Sequence, residues 1–170
     1  MRGINLKSKV YGLFISGLLL SGSEAIGSPQ QDKFDAGLAA LERHHYATAV
    51  RAWSEIAISG SPTAQNNLGL LYEQGLGVTQ NFLSAMEWYE KAEEAGSLEA
   101  AHNIGMLYVH GKGVSKSWSR ALHYFSKAEI DLPDSRYMVG LSYFQGEGQI
   151  QNRPLAFKRF LSSALNGYSP

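Results

Sequence analysis

Two apolar stripes with helical spacing lie close together near the centre of the chain. The first has members at i, i+3 and i+4, and the second at i, i+4 and i+7, so each follows one face of a helix. The stripes are, in order, Leu68, Leu71 and Tyr72, then Ala85, Tyr89 and Ala92. Small and large residues that alternate in this way suit the interface of two packed helices. The stretch from Ala64 to Gly96 is therefore predicted to be a helical hairpin.

The hairpin pattern recurs along the chain with one register. Glycines in the first helix repeat at intervals of 32, 36 and 35 residues, and alanines in the second helix and Gly-x-Gly turns keep step with them. The three columns are Gly37, Gly69, Gly105 and Gly140; Ala49, Ala85, Ala121 and Ala156; and Gly75/Gly77, Gly111/Gly113 and Gly146/Gly148. Such periodicity predicts an all-α solenoid of about four antiparallel helix pairs, at about 34–63, 64–99, 100–134 and 135–170.

The repeated glycines and caps have predicted structural tasks. A glycine within the first helix costs ~1 kcal/mol against alanine, so we expect it to permit close approach of the partner helix. The Gly-x-Gly elements suit a helix end whose backbone enters positive φ. Four residues after the second glycine come Asn81, Ser117 and Asn152, which are preferred N-cap residues and are predicted to open the second helices. Pro133 is expected to stop the one second helix that ends without a glycine.

The N-terminal residues have the pattern of an export signal. Residues 1–10 carry three basic side chains and no acid, residues 11–20 are apolar, and Ser23-x-Ala25 is a small-residue cleavage site. About ten apolar residues are too few for a bilayer span, which needs ~20, although a retained anchor is the alternative. We predict a signal peptide at 1–25, cleavage after Ala25, a flexible lead-in at 26–33, and a periplasmic or secreted repeat domain at 34–167.

Composition and charge narrow the range of functions. Fifteen basic and fifteen acidic residues balance, without a basic tract after the N-terminus, so a nucleic-acid partner is not expected. The chain has no cysteine, which excludes disulfides, thiolate metal sites and cysteine nucleophiles. His102 and His110 stand about 12 Å apart along a helix, too far to share one metal ion. We therefore predict no metal, no cofactor and no catalytic residues.

At these residues the chain resembles the Sel1-like repeat family, relatives of tetratricopeptide repeats. The matching positions in the most complete unit are Ala64, Leu68, Gly69, Tyr72, Gly75, Gly77, Val78, Ala85, Trp88, Tyr89, Lys91, Ala92 and Gly96. The units from Ala100 and Ser135 match less fully, and the unit from Phe34 is closer to a plain tetratricopeptide repeat. The resemblance implies a right-handed superhelix that acts as a protein- or peptide-binding adaptor, commonly in exported bacterial proteins.

The family that this chain resembles also has a branch with hydrolase activity, and we do not expect that activity here. That branch, linked to penicillin binding and β-lactam hydrolysis, ties each hairpin with a disulfide, and this chain has no cysteine. A cell-wall-active hydrolase is therefore the least favoured function. A structural subunit of an envelope or secretion complex, which contacts partners through its convex or C-terminal face, is the main alternative to the adaptor.

The tetratricopeptide register predicts a partner-binding groove lined by the first helices. The predicted groove residues are Asn66, Leu70, Glu73 and Gln74; His102, Met106, Val109 and His110; and Tyr137, Leu141, Phe144 and Gln145. Apolar residues flanked by amides and imidazoles suit an extended peptide or a helix. The competing interpretation is that Leu70, Met106 and Leu141 pack between adjacent repeats.

Two further features bear on partners. Trp88 and Trp118 are expected either to seal contacts between repeats or to anchor a partner, with packing the commoner outcome. The last predicted helix carries Phe157, Phe160 and Leu161 with no evident cover, which allows self-association through the C-terminal helix. Partner identity is not encoded in the motif.

Overall fold

The computed structural model describes residues 28–168, which form eight α-helices and no strand. The helices are α1 (Pro29–Glu42), α2 (Tyr46–Ile58), α3 (Pro62–Gln74), α4 (Phe82–Glu94), α5 (Leu98–His110), α6 (Trp118–Ala128), α7 (Pro133–Gln145) and α8 (Arg153–Leu165). All extensive contacts join helices that are consecutive in the chain. This pattern is that of a solenoid, in which each hairpin packs only on its neighbours, so the predicted all-α solenoid of four helix pairs is confirmed.

Local sequence signals set most of the helix starts. The predicted N-caps are confirmed: the side chains of Asn81, Ser117 and Asn152 each accept a hydrogen bond from a backbone N–H in the first turn of α4, α6 and α8. Ser61 and Ser97 do the same for α3 and α5. Such a cap satisfies a donor that has no partner within the helix, and is worth ~1 kcal/mol.

The core runs along the solenoid as layers of small residues around one large side chain per hairpin. Trp53, Tyr89 and Phe125 occupy the same position in α2, α4 and α6 and are fully buried. Each lies against the glycine of its partner helix: a Cβ on Gly69 would stand 2.4 Å from the Tyr89 ring. The mid-helix glycines therefore make room for an aromatic ring, which confirms the predicted close approach of the two helices.

The first glycine of each Gly-x-Gly turn ends a helix, as predicted. Gly75, Gly111 and Gly146 are the left-handed C-caps of α3, α5 and α7. At Gly75 the φ angle is 70°, and the N–H donates to the carbonyl of Leu71. Positive φ is easily adopted by glycine, so the residue type at these three positions determines where the first helices stop.

The second glycine of each turn lies beyond the helix end, which corrects the prediction for Gly77, Gly113 and Gly148. All three have positive φ, but each comes after the C-cap and packs against the preceding hairpin. A Cβ on Gly113 would stand 2.7 Å from Phe82 Cβ. One on Gly148 would stand 2.8 Å from the backbone of Trp118. Gly113 and Gly148 are exposed on their other side, so their task is to let the turn approach the previous hairpin's second helix, not to cap a helix.

The structure corrects two further expectations about helix ends. Residues 29–33, expected to be part of a flexible lead-in, belong to α1, because Ser28 caps the helix and Pro29 occupies its first turn. Pro133, interpreted as a helix stop, instead opens α7. The predicted signal peptide at 1–25 lies outside the described residues. Within residues 28–168, no helix has the length and apolarity that crossing a bilayer requires.

The tryptophans and the last helix differ in their exposure. The core layers around Trp53, Tyr89 and Phe125 are the first, second and third in chain order. Trp118 is buried in the third, and Trp88 packs against the first, so both seal contacts between repeats. In α8, by contrast, Phe157 is 68% exposed and Leu161 51%. The first helices α3, α5 and α7 carry all of the predicted groove residues, and the core layers between the hairpins hold these helices side by side.

Candidate functional site

The first helices of the last three hairpins, α3, α5 and α7, border a cavity of about 630 Å³. It lies on the face of the solenoid that these first helices form, and residues from the turns before α5 and α7 close one side. Seven of the twelve predicted groove residues line it: Asn66, Leu70, Glu73, Gln74, His102, Met106 and His110. Seven of the eight groove residues predicted on α3 and α5 therefore share one cavity.

The groove residues predicted on α7 do not line the cavity. The ring of Tyr137 stacks on that of Tyr168, with centroids 4.5 Å apart, and Leu141 packs into the third core layer. Phe144 is 48% exposed at the end of α7 and contacts the Phe160 ring. Val109 is buried in the core, and Gln145 does not line the cavity either. Tyr137, Leu141, Phe144 and Val109 stand at the equivalent repeat positions, but their side chains pack within the last hairpin or into the core, and Gln145 is exposed.

Leu70 and Met106 satisfy both interpretations that the sequence left open. Each packs partly against a core layer, Leu70 on the second and Met106 on the third, and each also lines the cavity. Their half-buried side chains therefore form an apolar floor whose remaining surface is available to a ligand. Met138 of α7 extends this floor.

Glu73 is held by one neighbouring helix, α4, and by the turn after α5. The Tyr89 hydroxyl donates to Glu73 Oε2 at 2.9 Å, and Lys112 Nζ lies 3.1 Å from Glu73 Oε1. Burial raises the pKa of Tyr89 well above its usual value, and the carboxylate beside it raises the pKa further. Glu73, predicted to contact a partner, therefore first links the second hairpin to the turn of the third.

Amide side chains form the polar centre of the cavity. Asn103 Nδ2 donates to Asn66 Oδ1 at 2.9 Å and so connects α5 to α3. Asn67, beside them on α3, is 6% exposed, and its Nδ2 has no hydrogen-bond partner. A buried donor without a partner costs ~1–3 kcal/mol, so the position is energetically unusual for a residue that serves only packing.

His102 is held from both sides rather than projecting freely. Its Nδ1 is 2.9 Å from the hydroxyl of Ser135 on α7, and its ring lies 5.4 Å from that of Phe125. His110, at the C-terminal end of α5, is exposed at the rim of the cavity. The two histidines therefore have different roles: His102 connects neighbouring hairpins, and His110 offers a polar group to solvent or a ligand.

Sequence reasoning missed several residues of the cavity. Asn67, Asn103 and Met138 share one repeat position, and all three line the cavity. In each hairpin this position directly follows a predicted groove residue, namely Asn66, His102 or Tyr137. Lys112 lies inside a Gly-x-Gly turn and reaches the cavity only because the turn folds back over α3. The signal that could have identified the asparagines is their repetition in the middle of the first helices of two consecutive hairpins, where asparagine has low propensity.

The chemistry of the cavity suits binding. Its lining combines amides, imidazoles and an apolar floor, a mixture typical of ligand-binding clefts. No group of three potential metal-ligating side chains occurs in the part of the chain from 28 to 168. This arrangement can recognise a ligand through its shape and through hydrogen bonds.

Comparison with known proteins identifies the fold family. The sequence model of the Sel1 repeat matches residues 62–97, 98–129 and 133–168, which together exceed half of the chain. The chain therefore belongs to the Sel1 repeat family, whose members commonly serve as scaffolds for protein–protein interaction. The first hairpin, α1–α2, lies outside the matched ranges, and no curated protein sequence matches the chain.

Solved structures show the same solenoid. A protective antigen present in uropathogenic Escherichia coli strains, which displays the same repeat fold, superposes with a TM-score of 0.76 at 29% identity over 81% of this chain. A Sel1 repeat protein from Oxalobacter formigenes gives 0.74 at 30% identity over 80%. The chain spans 31% and 55% of these two proteins, respectively. Cysteine-rich protein B of Helicobacter pylori is similar in fold alone, with a TM-score of 0.53 and 22% identity over 84% of this chain and 94% of its own.

Proposed function

We propose that this protein is a non-enzymatic adaptor that binds a protein or peptide in the cavity between α3, α5 and α7. The observation that carries the proposal is the cavity itself, about 630 Å³ and continuous over three hairpins. Its size falls in the range of ligand sites, and its mixture of an apolar floor with a few polar groups is typical of them. Sel1 repeats commonly act as interaction scaffolds, which agrees with this role.

The setting we propose is the bacterial cell envelope, either the periplasm or the outside of the cell. The support is the order of residues 1–25, which are basic, then apolar, then small. The purified extracellular or periplasmic protein should begin at Ile26, and Edman degradation or mass spectrometry of its N-terminus tests this. A protein recovered with Met1 in place would contradict cleavage.

A photocrosslinking experiment tests the proposed binding site. A photoreactive phenylalanine analogue at His110, an exposed residue of the cavity rim, should yield a crosslinked partner in the cells that produce the protein. The same analogue at Glu87, which is exposed on α4 and does not line the cavity, is the matched control. Equal adducts from both positions, or an adduct from Glu87 alone, would contradict the proposed site.

A second proposed contact is self-association through α8. Phe157 occupies the repeat position of Met86 and Leu122, whose side chains are covered by the first helix of the next hairpin. Because the repeat covers this position with another hairpin, a second copy of the chain suits the exposed face. Light scattering should give a dimer mass that Phe157→Glu reduces to a monomer, and a monomeric wild-type protein would contradict the proposal.

A further inference from the structure

Exposed apolar side chains are concentrated in the last hairpin. Of the eight large apolar residues that are exposed within residues 28–168, five fall between Phe144 and Leu165. Three of them, Phe157, Leu161 and Leu165, stand at i, i+4 and i+8 of α8, and each is more than half exposed. They form a continuous apolar line along one side of the helix, the α8 stripe. Contiguous exposed apolar surface of this kind marks an interaction site.

The α8 stripe is more than the surface that a further hairpin would cover. The middle position of the stripe is polar in the other second helices, where it is Ser54, Glu90 and Ser126. Glu90 and Ser126 are exposed although another hairpin follows each of them. Ile130, at the repeat position of Leu165, is likewise 77% exposed within the solenoid. A further hairpin would therefore leave most of the stripe in water, so the stripe fits a partner that packs along α8 itself.

The first helix of the solenoid does not offer a matching surface. Asp32 and Ala36 of α1 occupy the positions at which α3 has Ala64 and Leu68, which are buried in the first core layer. Asp32 is exposed, and its carboxylate would lose hydration if another copy stacked end to end on α1. Stacking of this kind, which would build an open filament, is therefore unfavourable, whereas two identical stripes can form a closed contact.

Charge favours an antiparallel orientation of two such stripes. Arg153 lies in the first turn of α8, at the positive end of the helix dipole, and this turn has no acidic residue. An antiparallel copy brings the C-terminal end of its α8, with free carbonyls and partial negative charge, beside this arginine. The same orientation places Phe157 beside Leu165 of the second copy. Side chains at i and i+4 then form ridges that pack into the grooves of the facing helix.

We propose that two copies of the chain pair through the α8 stripe, with their α8 helices antiparallel and related by a two-fold axis near Leu161. The inference rests on the self-association proposed above and adds the contacting residues, the orientation and the closed symmetry. No residue of the stripe lines the cavity, so the pairing leaves the cavity of each copy open to a ligand.

Single engineered cysteines test the arrangement, because the chain has no cysteine of its own. Leu161→Cys should form a disulfide-linked dimer under mild oxidation, since the two-fold axis brings this position next to itself. A mixture of the Phe157→Cys and Leu165→Cys proteins should give the mixed disulfide in clear excess over either homodimer, measured by mass spectrometry. Ile130→Cys is the matched control, equally exposed and at the same repeat position as Leu165, and it should remain monomeric.

Arg153 provides an independent measurement. Arg153→Gln removes a cation at both ends of the pair and should raise the dissociation constant of the dimer about tenfold in analytical ultracentrifugation. In the background of Phe157→Glu, which keeps the chain monomeric, the same change should hardly alter the melting temperature. The reason is that relief at the helix's own N-terminus offsets the lost contact with the Phe144 ring. A residue that only stabilised α8 would lower the melting temperature as well.

The outcomes separate this inference from the proposals above. A wild-type protein that stays monomeric in the ultracentrifuge overturns both the self-association and the α8 pair. Preferential linkage of Phe157→Cys to itself would show parallel helices, and linkage of Phe157→Cys to Ala36→Cys would show end-to-end stacking. Either result overturns the antiparallel pair and leaves self-association standing. Equal disulfide yield from Ile130→Cys would identify the linkages as products of random collision and would also overturn the pair.

Discussion

Lys112 Nζ lies 3.1 Å from Glu73 Oε1, although the two residues stand 39 positions apart in the chain. The other carboxylate oxygen of Glu73 accepts the hydroxyl hydrogen of Tyr89, a fully buried side chain. Lys112 is about half exposed, so solvent screens the ion pair, whereas the hydrogen bond from Tyr89 lies in the interior. The two interactions of one carboxylate therefore differ in strength.

Substitutions at Glu73 should separate these two interactions. Glu73→Gln keeps an acceptor for Tyr89 and loses the ion pair, so we expect a loss of ~0.5 kcal/mol in the free energy of unfolding. Glu73→Leu leaves the Tyr89 hydroxyl without a partner and should cost ~1–3 kcal/mol. Urea denaturation followed by circular dichroism measures both. Equal losses would show that the ion pair, not the hydrogen bond, is the important interaction.

Stability should fall at alkaline pH because of Tyr89. Burial, and secondarily the Glu73 carboxylate, raises the pKa of this tyrosine in the folded state above the ~10 of an unfolded chain. Above that value the unfolded state releases the proton while the folded state keeps it, so rising pH favours unfolding. The free energy of unfolding should therefore decline above about pH 10.

The variant Tyr89→Phe identifies the source of this decline. It should show a shallower fall between pH 9 and 11 in urea titrations, with some decline remaining because the pKa values of Tyr124 and Tyr168 are also raised. An unchanged slope in Tyr89→Phe would assign the alkaline loss to other groups. The same exchange at Tyr46, whose hydroxyl lies beside His44 and not beside a carboxylate, is the control.

The glycine column should be intolerant of even one methyl group. A Cβ on Gly105 would stand 2.5 Å from Phe125 Cε1, so Gly105→Ala should destabilise the protein by ~1–3 kcal/mol despite the better helix propensity of alanine. Phe125→Leu in the same chain removes part of the obstructing ring. The double variant should consequently be less unstable than the sum of the single changes, and strict additivity in thermal unfolding would contradict the steric explanation.

Two helix N-caps lead to opposite predictions for stability, because one cap can be removed and the other can be added. Asn81 accepts hydrogen bonds from the N–H groups of Leu83 and Ser84, so Asn81→Ala should cost ~1 kcal/mol. His45 occupies the N-cap of α2, is exposed, and makes no side-chain cap bond, so His45→Asp should stabilise by ~0.5–1 kcal/mol. Thermal unfolding of both variants measures the effects, with the mild change Asn81→Asp as control.

Features that depend on neighbouring residues were predictable from the sequence. The N-caps at Asn81, Ser117 and Asn152 and the left-handed cap at Gly75 follow from which side chain or φ value a helix end requires. The glycine in each first helix was predictable because an unfavourable residue in a fixed register needs a packing reason. The register also located Asn66, Leu70 and Glu73 on the side that forms the cavity.

Features that join different hairpins were not predictable in the same way. The hydrogen bond between Asn66 and Asn103 spans 37 positions, and the one between His102 and Ser135 spans 33. Each depends on the translation and rotation that relate successive hairpins, and the repeat period does not contain those quantities. Phe144 was assigned to the groove from the repeat register alone, whereas within the last hairpin it lies beside Phe160 of α8.

The second glycines of the turns show the same limit. Gly113 and Gly148 were assigned to helix ends because positive φ is a local requirement that glycine meets. Their close approach to Phe82 and to the backbone of Trp118 depends on how one hairpin lies on the next. Local backbone conformation therefore explains only part of the need for glycine at these positions. The packing of the turn on the preceding hairpin explains the rest.

The sequence by itself determined that this chain forms stacked helical hairpins, because repeated caps, glycines and apolar stripes specify each hairpin locally. The tertiary structure decided which side chains of those hairpins meet, and with that the extent of the cavity, the internal engagement of Glu73 and the unpartnered amide of Asn67. The physical reason is that a hairpin is stabilised by contacts close in sequence, whereas a binding surface of a solenoid arises only between hairpins.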